Sequence, residues 1–316
     1  MSVHVTSIVT VPPGDTPSLV NQRTVVIAGV GLIGGSLGLA LGRYAPGVRR
    51  VGFGRRESAL QQAVHLGAID EYSLDLPRAV GRADLLVLCT PVDVIADQTI
   101  EALRCAPQQT VVTDCGSVKA AIVRQVENTL PPELSCRFVG GHPLAGSDRT
   151  GVEHARSDLF VDRTCILTPR SSTSVAAVDA VYELWSSVGA QVVLMEPEVH
   201  DEVLAGTSHL PHIAAAALVH CLDDHAKPFV ASGFLDTTRV ASSAAEIWVP
   251  ILLHNRTEIL RHLRKLAGIL GDFERALQNA DADELVRLWQ TAAARRRELE
   301  RSRARSQQRK EAKQNP

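Results

Sequence analysis

The segment that most constrains this chain is Gly29-Val30-Gly31-Leu32-Ile33-Gly34, because glycines at that spacing dictate backbone geometry before any side chain is considered. A β-branched run from Thr24 to Ala28 precedes it, and an apolar stretch with helical character follows as far as Arg43. A strand that turns sharply into a helix needs its first glycine for the tight turn. The second leaves room for a pyrophosphate to approach the backbone, and the third lets helix and strand pack closely. The N–H groups that open the helix have no partners within it and meet the phosphate charge. Gly29, Gly31, Leu32, Ile33 and Gly34 are therefore the first expected dinucleotide contacts. The alternative is a glycine-rich turn that binds nothing.

The rest of the first two-thirds repeats the same alternation. Strands are expected at residues 48–53, 85–90, 110–114, 137–140, 164–167 and 191–195, with helices between several of them, such as 57–66. The 85–90 run is apolar almost throughout, as a strand covered on both faces should be. Such alternation implies βαβ crossovers and a mainly parallel sheet. After Met195 the strands stop. An Ala/Leu-rich helix is expected over 197–222 with Pro211 as a kink, then a loop at 232–238, then helices from Ala244 to about Arg296. The predicted class is α/β: a Rossmann-like, mainly parallel sheet domain (23–195) followed by an all-α domain (196–296). Residues 1–22, with Pro12, Pro13, Gly14 and Pro17, are expected to form a flexible leader.

The second strand bears on which dinucleotide is bound. An acidic residue about 20 positions after the glycines would grip a ribose 2′-hydroxyl. Here the sequence is Val51-Gly52-Phe53-Gly54-Arg55-Arg56, with Gly54 where the acid is expected. Glycine removes the repulsion that a carboxylate exerts on a 2′-phosphate, and Arg55 and Arg56 offer fork-shaped donors to it. NADP is thus favoured over NAD, unless both arginines are merely exposed. Thr90 and Pro91, at the end of the apolar strand, complete the expected cofactor set.

Composition closes off other classes. A net charge of −2 gives no global field for nucleic acid, and no run of about 18 apolar residues offers a membrane span. The six cysteines form no C-x-x-C pair, so they are expected to be reduced core residues of a cytoplasmic protein, with no metal site. Residues 297–316 read as a basic, disordered tail, since 295–316 hold nine Lys/Arg against three Asp/Glu.

Further stretches carry more specific information. Asp114-Cys115-Gly116-Ser117-Val118-Lys119 and Gly141-His142-Pro143-Leu144-Ala145-Gly146-Ser147 each follow an expected strand. Ser208-His209-Leu210-Pro211-His212 lies in the first helix of the helical part, and Thr237-Thr238-Arg239-Val240-Ala241-Ser242 and Trp248 lie downstream. Together, from about Arg23 to about Arg264, these resemble the prephenate/arogenate (cyclohexadienyl) dehydrogenase family. The departure is Gly54, which sets the chain apart from that family's common use of NAD. The resemblance leaves no room for a further folded module after Arg296.

The resemblance implies a cyclohexadiene substrate, prephenate or arogenate, from which hydride leaves C4, a proton leaves the C4 hydroxyl and CO₂ leaves C1. It makes His142 the catalytic base, a residue type that offers a neutral acceptor at pH 7. It places Ser117 beside the same hydroxyl, although a serine there would also suit a helix N-cap. Arg239, a permanent cation with bidentate geometry, is implied as the grip on the ring carboxylate. His212, with His209 and Ser208, is implied at the substrate side chain. His209 and His212 share a helix face, which also suits buried structural histidines. Trp248 falls near the pocket, at a dimer seam or in the core. A charged His212 would donate to a keto or anionic group, which favours prephenate over arogenate. The resemblance also implies a homodimer joined through the helical part. Two other readings remain: another dehydrogenase of the same two-part plan, or a dinucleotide sensor that uses its tail on nucleic acid.

Overall fold

A computed structural model describes residues 23–147 and 149–314; the expected leader lies outside these. Strand β1 (Thr24–Ala28) runs into helix α1 (Leu32–Tyr44), and the unit repeats as β2 (Arg49–Phe53), α2 (Glu57–His65), β3 (Glu71–Ser73), α3 (Leu76–Val80), β4 (Leu85–Leu88) and α4 (Val92–Cys105). Then follow β5 (Val111–Asp114), α5 (Ala120–Thr129), the short α6 (Pro132–Ser135), β6 (Phe138–Pro143), β7 (Thr164–Thr168), α7 (Val175–Ser187) and β8 (Gln191–Leu194). The strands form one sheet in the order β3-β2-β1-β4-β5-β6-β7-β8. All pairings are parallel except β6 with β7, where His142 stands opposite Ile166.

Side-chain alternation divides this sheet into two cores. Val25 and Ile27 of β1, with Leu85 and Val87 of β4, face a layer that contains Leu37, Leu41 and Trp185. Val26 and Ala28, with Leu86 and Leu88, face Ile95, Leu103 and Ile122 on the other side. All four β4 residues are buried, which is why that run carries no polar alternation. The order reverses between β1 and β4: the chain moves outward through β2 and β3, then returns to the other side of β1. Open sheets bind ligands at such a switch point, beyond the carboxyl ends of the strands.

Several expectations need correction. Strand β3 was not expected, because Glu-Tyr-Ser is too short and polar to show a pattern, and it pairs only at the sheet edge. Strand β6 continues to Pro143, so His142 lies inside a strand rather than after it. The 197–222 helix is three pieces: α8 (Pro197–Leu204), a π-helical turn (Ala205–His209) and α9 (Leu210–His220). Pro211 has no N–H and would clash with the carbonyl four residues back, and the wider turn before it absorbs that misfit. The expected loop at Ser232–Thr238 is helix α10, in which Thr237 and Thr238 turn their hydroxyls back onto the carbonyls of Gly233 and Phe234. Of the six cysteines only Cys165 is buried, and Cys105 and Cys221 are exposed.

Helices α11 (Ala245–His254), α12 (Arg256–Gln278) and α13 (Ala282–Gln314) complete the chain. The backbone of the basic tail is therefore helical to Gln314 rather than disordered. Its Arg, Glu, Gln and Ala are strong helix formers, and Arg296 pairs with Glu300 one turn on. By density of contact the chain divides at Ile259/Leu260 into two compact units. The first includes α8 to α11 together with the sheet, since Ile251 of α11 belongs to one of the sheet's two cores. Among the described residues no helix is long and apolar enough to cross a membrane.

Candidate active site

The β1–α1 turn forms the floor of a cleft of about 750 Å³. Gly29 has φ +86°, and a Cβ there would lie 2.7 Å from the Cys89 carbonyl oxygen, so β4 approaches too closely for any side chain. Gly31 is the N-cap of α1 and faces open space, with nothing within 4 Å of where a Cβ would stand. The first turn of α1 carries no acid, so its N–H groups present an unopposed positive end. Gly31, Gly54, Arg55, Arg56, Thr90 and Pro91 line this cleft along with Gly29. The side chains of Arg55 and Arg56 are exposed and make no hydrogen bond or ion pair among the described residues. Leu32 opens instead onto a neighbouring recess of about 590 Å³, alongside Leu144 and Ser147. Gly34 lines neither hollow; a Cβ there would run into the Gly29 carbonyl, so it serves the close packing of helix on strand. Open backbone donors, an anion-ready helix end and the guanidinium groups of Arg55 and Arg56 fit a dinucleotide, although the acids Asp93 and Glu153 also line the cleft. Among the described residues no cluster could hold a metal ion.

The second part of the site is buried. His142, at the end of β6, is 9% exposed. Its Nδ1 lies 2.8 Å from Nε2 of His200 on α8, and His200 Nδ1 lies 2.7 Å from Oδ1 of Asp201. Asp201 in turn accepts from the backbone N–H of Lys119 (2.8 Å) and of Ala120 (3.0 Å). Burial pushes His142 well below the ordinary imidazole range, and His200 and Lys119 add to the shift. His200 is also lowered by burial, against the opposing pull of the Asp201 carboxylate. Both imidazoles are therefore neutral at pH 7.

Below this pair sits a buried ion pair between Lys119 and Asp114, both fully enclosed. Asp114 also accepts from the N–H groups of Gly116 (2.8 Å) and Gly141 (3.0 Å). It thereby ties the β5–α5 connection to the residue before His142. A charge enclosed in this way persists only because donors surround it. Ser117 lies in the same connection. It does not cap α5, whose N-cap is Lys119 with no side-chain cap bond, so that alternative for Ser117 falls away.

The helical side contributes an aromatic platform. His212 stacks on Trp248 with ring centroids 3.6 Å apart, and its Nδ1 lies 2.8 Å from the Ser208 carbonyl, to which it donates. Burial lowers His212, and the positive charge of Arg239 adds to this. The expectation of a charged His212 is thus corrected: with Nδ1–H committed to Ser208, it offers a bare Nε2. His209 is 1% exposed and pushed down to about 4 by burial. It lies edge-on to Trp248 and within 3.1 Å of Asn255 Nδ2, and so braces the platform. Asn255 also donates to the Asp201 carbonyl (2.7 Å), which joins the platform to the His200–Asp201 pair. Arg239 is exposed, beyond His212.

The sequence motifs name His142, Ser117, His212 and Trp248; the structure adds His200, Asp201 and Asn255 to their surroundings, and gives Asp114 and Lys119 a place that the motifs did not. Asp114 and Lys119 stood inside a quoted motif, and their burial was the missing signal. His200 and Asp201 lie 58 and 59 positions from His142, in an ordinary-looking helical segment.

Comparison with known proteins agrees with this architecture. The family described as prephenate dehydrogenase, nucleotide-binding domain, matches residues 37–194, and its companion, the dimerization domain, matches residues 196–291. A Bacillus subtilis protein named prephenate dehydrogenase is 36% identical over 86% of this chain and 74% of its own. The crystal structure of prephenate dehydrogenase from Aquifex aeolicus, in complex with hydroxyphenyl propionate and NAD+, matches with TM-score 0.80. It is 31% identical and the match covers 88% of this chain and 98% of that one. A Synechocystis arogenate dehydrogenase matches with TM-score 0.75 at 29% identity, over 87% and 99% of the two chains.

Proposed function

The chain belongs to the prephenate dehydrogenase family, and from that membership we propose that it converts prephenate to 4-hydroxyphenylpyruvate by oxidative decarboxylation. The observation that carries the proposal is His142: a buried imidazole kept neutral by its surroundings, at the carboxyl end of a central strand. A neutral imidazole takes the proton of the C4 hydroxyl as hydride leaves that carbon. The dinucleotide, when bound, supplies the hydride acceptor, held by Gly29, Gly31, Gly54, Thr90 and Pro91 with the N-terminus of α1. Ser117 shares the hydroxyl with His142. Arg239 holds the ring carboxylate, and loosely, because charge leaves that group as CO₂ departs. His212 and Ser208, backed by Trp248, receive the substrate side chain.

Gly54, Arg55 and Arg56 support NADP over NAD, since two exposed guanidinium groups line the cleft and would suit a 2′-phosphate. A homodimer is supported by large apolar side chains left open on the helices, Phe229 at 84% and Leu253 at 60% exposure among them. A second substrate has a specific observation in its favour: the bare Nε2 of a neutral His212 accepts a hydrogen bond, which suits the ammonium of arogenate better than a keto oxygen.

The test is the initial rate of nicotinamide reduction with prephenate or arogenate, each with NAD or NADP. Activity in any combination supports the family reaction, and the fastest one assigns substrate and cofactor. Failure of all four, in protein that still binds dinucleotide, overturns the proposal.

A further inference from the structure

The His142–His200–Asp201 chain does more than bury polar groups. Asp201 Oδ1 accepts from the Lys119 N–H and Oδ2 from the Ala120 N–H, so toward His200 the carboxylate presents only an acceptor. His200 Nδ1 must therefore carry the proton. A neutral His200 then has a bare Nε2, and His142 Nδ1, 2.8 Å away, must donate to it. This leaves His142 with its lone pair at Nε2, the nitrogen directed away from His200.

We propose that His200 and Asp201 are positioning residues that fix the base tautomer of His142 and hold the proton it collects. The proposal rests on the reading of His142 as the base. The proton arrives at His142 Nε2, and the Nδ1 proton of His142 moves to His200 Nε2. The positive charge then lies on His200, directly against the Asp201 carboxylate, rather than on His142. No bond other than N–H and O–H changes, and the net charge of the chain rises by one. His142 has no acid in direct contact, whereas His200 does, so the transfer places the charge beside its counterion.

The groups that surround this chain are consistent with such a path. From the β5–α5 connection come Lys119 and Asp114, whose charges pair with each other. From the π turn comes neutral His209, and from β7 the buried thiol of Cys165, which meets the His142 backbone. Among the described residues none of these hydrogen-bonds to His200 or to a His142 ring nitrogen. The Asn255 bond to the Asp201 carbonyl and the two N–H donors hold the acid end in place.

Two measurements test this on the full-length protein. The first is nitrogen-15 histidine spectroscopy at pH 7, with peaks assigned by their loss in His142→Asn and His200→Gln. Both rings are expected as the Nδ1–H tautomer. An Nε2–H tautomer at either position overturns the proposal, whatever the substrate proves to be. The second is kinetic. Asp201→Asn lets an amide N–H face His200, which reverses both tautomers, so turnover is expected to fall roughly 10³- to 10⁴-fold, as when a catalytic imidazole loses its orienting acid. His200→Gln is expected to cost roughly 10²-fold. In both variants dinucleotide affinity should stay within about twofold, and the acid limb of the pH–rate profile should move to lower pH. If Asp201→Asn does not fold, because the Lys119 N–H loses its acceptor, His200→Gln decides alone. Turnover within about threefold and an unmoved acid limb would overturn the proposal. Inactivity of the wild-type chain on both substrates would instead remove the reading of His142, and the tautomer spectrum would still judge the hydrogen-bond chain.

Discussion

At the β1–α1 turn the groups that face the cleft are backbone atoms, glycines and exposed arginines. At the end of β6 they are buried side chains, each held by another. The first region is open because its ligand must bring its own charge into contact with main-chain donors. The second is enclosed, and its neighbours in a dry interior both keep the imidazole of His142 neutral and fix its orientation. The contrast shows in the glycines and the acids. Gly31 faces empty space, whereas every oxygen of Asp114 and Asp201 has a donor.

If that division is right, a change in one region should leave the other intact. The largest effect is expected from His142→Asn, which removes the base but keeps a polar side chain of smaller size. Turnover should fall roughly 10²- to 10⁴-fold while dinucleotide affinity stays near wild type. Unchanged turnover would take His142 out of its role and collapse the distinction. Gly34→Ala should do the reverse. The added methyl runs into the Gly29 carbonyl and comes within 2.9 Å of Ile27 Cγ2, so the turn itself must shift. A loss of about 1–3 kcal/mol in stability is expected, together with weaker dinucleotide binding by titration. Intact binding with lowered turnover alone would contradict the packing role.

The smallest effect sharpens the enclosed side. His209 is held neutral in the fold, down to about 4 from an ordinary value of 6.5. Between those values the unfolded chain binds the proton that the folded chain refuses, so stability rises with pH there. The contribution is complete above about pH 6.5 and is lost as pH falls toward about 4. Urea midpoints measured across that window should decline on acidification, and His209→Asn should flatten the slope. An equal slope in the variant would mean that other groups carry the acid sensitivity.

Local readings succeeded where one segment contains both the cause and the effect. The turn from Gly29 to Gly34 is an instance: strand, glycine spacing and helix are contiguous, so dihedral freedom and close approach were both visible. The same holds for β4, whose unbroken apolar run implies cover on both faces. The reading failed at β3, where three polar residues pair only because β2 already stands beside them. It failed again at Ser232–Thr238, where hydroxyls that suit a turn instead bond within a helix. At His212 the residue was located but its charge was misjudged, because burial and the nearby Arg239 set that charge.

By itself the sequence determined the α/β class, the glycine turn and the family, and it singled out His142 as the candidate base, because glycine spacing, hydrophobic period and short motifs act within a few residues of one another. Only the tertiary structure decided what surrounds His142. It brings His200 and Asp201 of α8 to β6, joins Asp114 to the Gly141 N–H, and sets His209 edge-on and His212 face-on to Trp248. Protonation depends on burial and on partners within about 3 Å, and those are set by how distant segments pack.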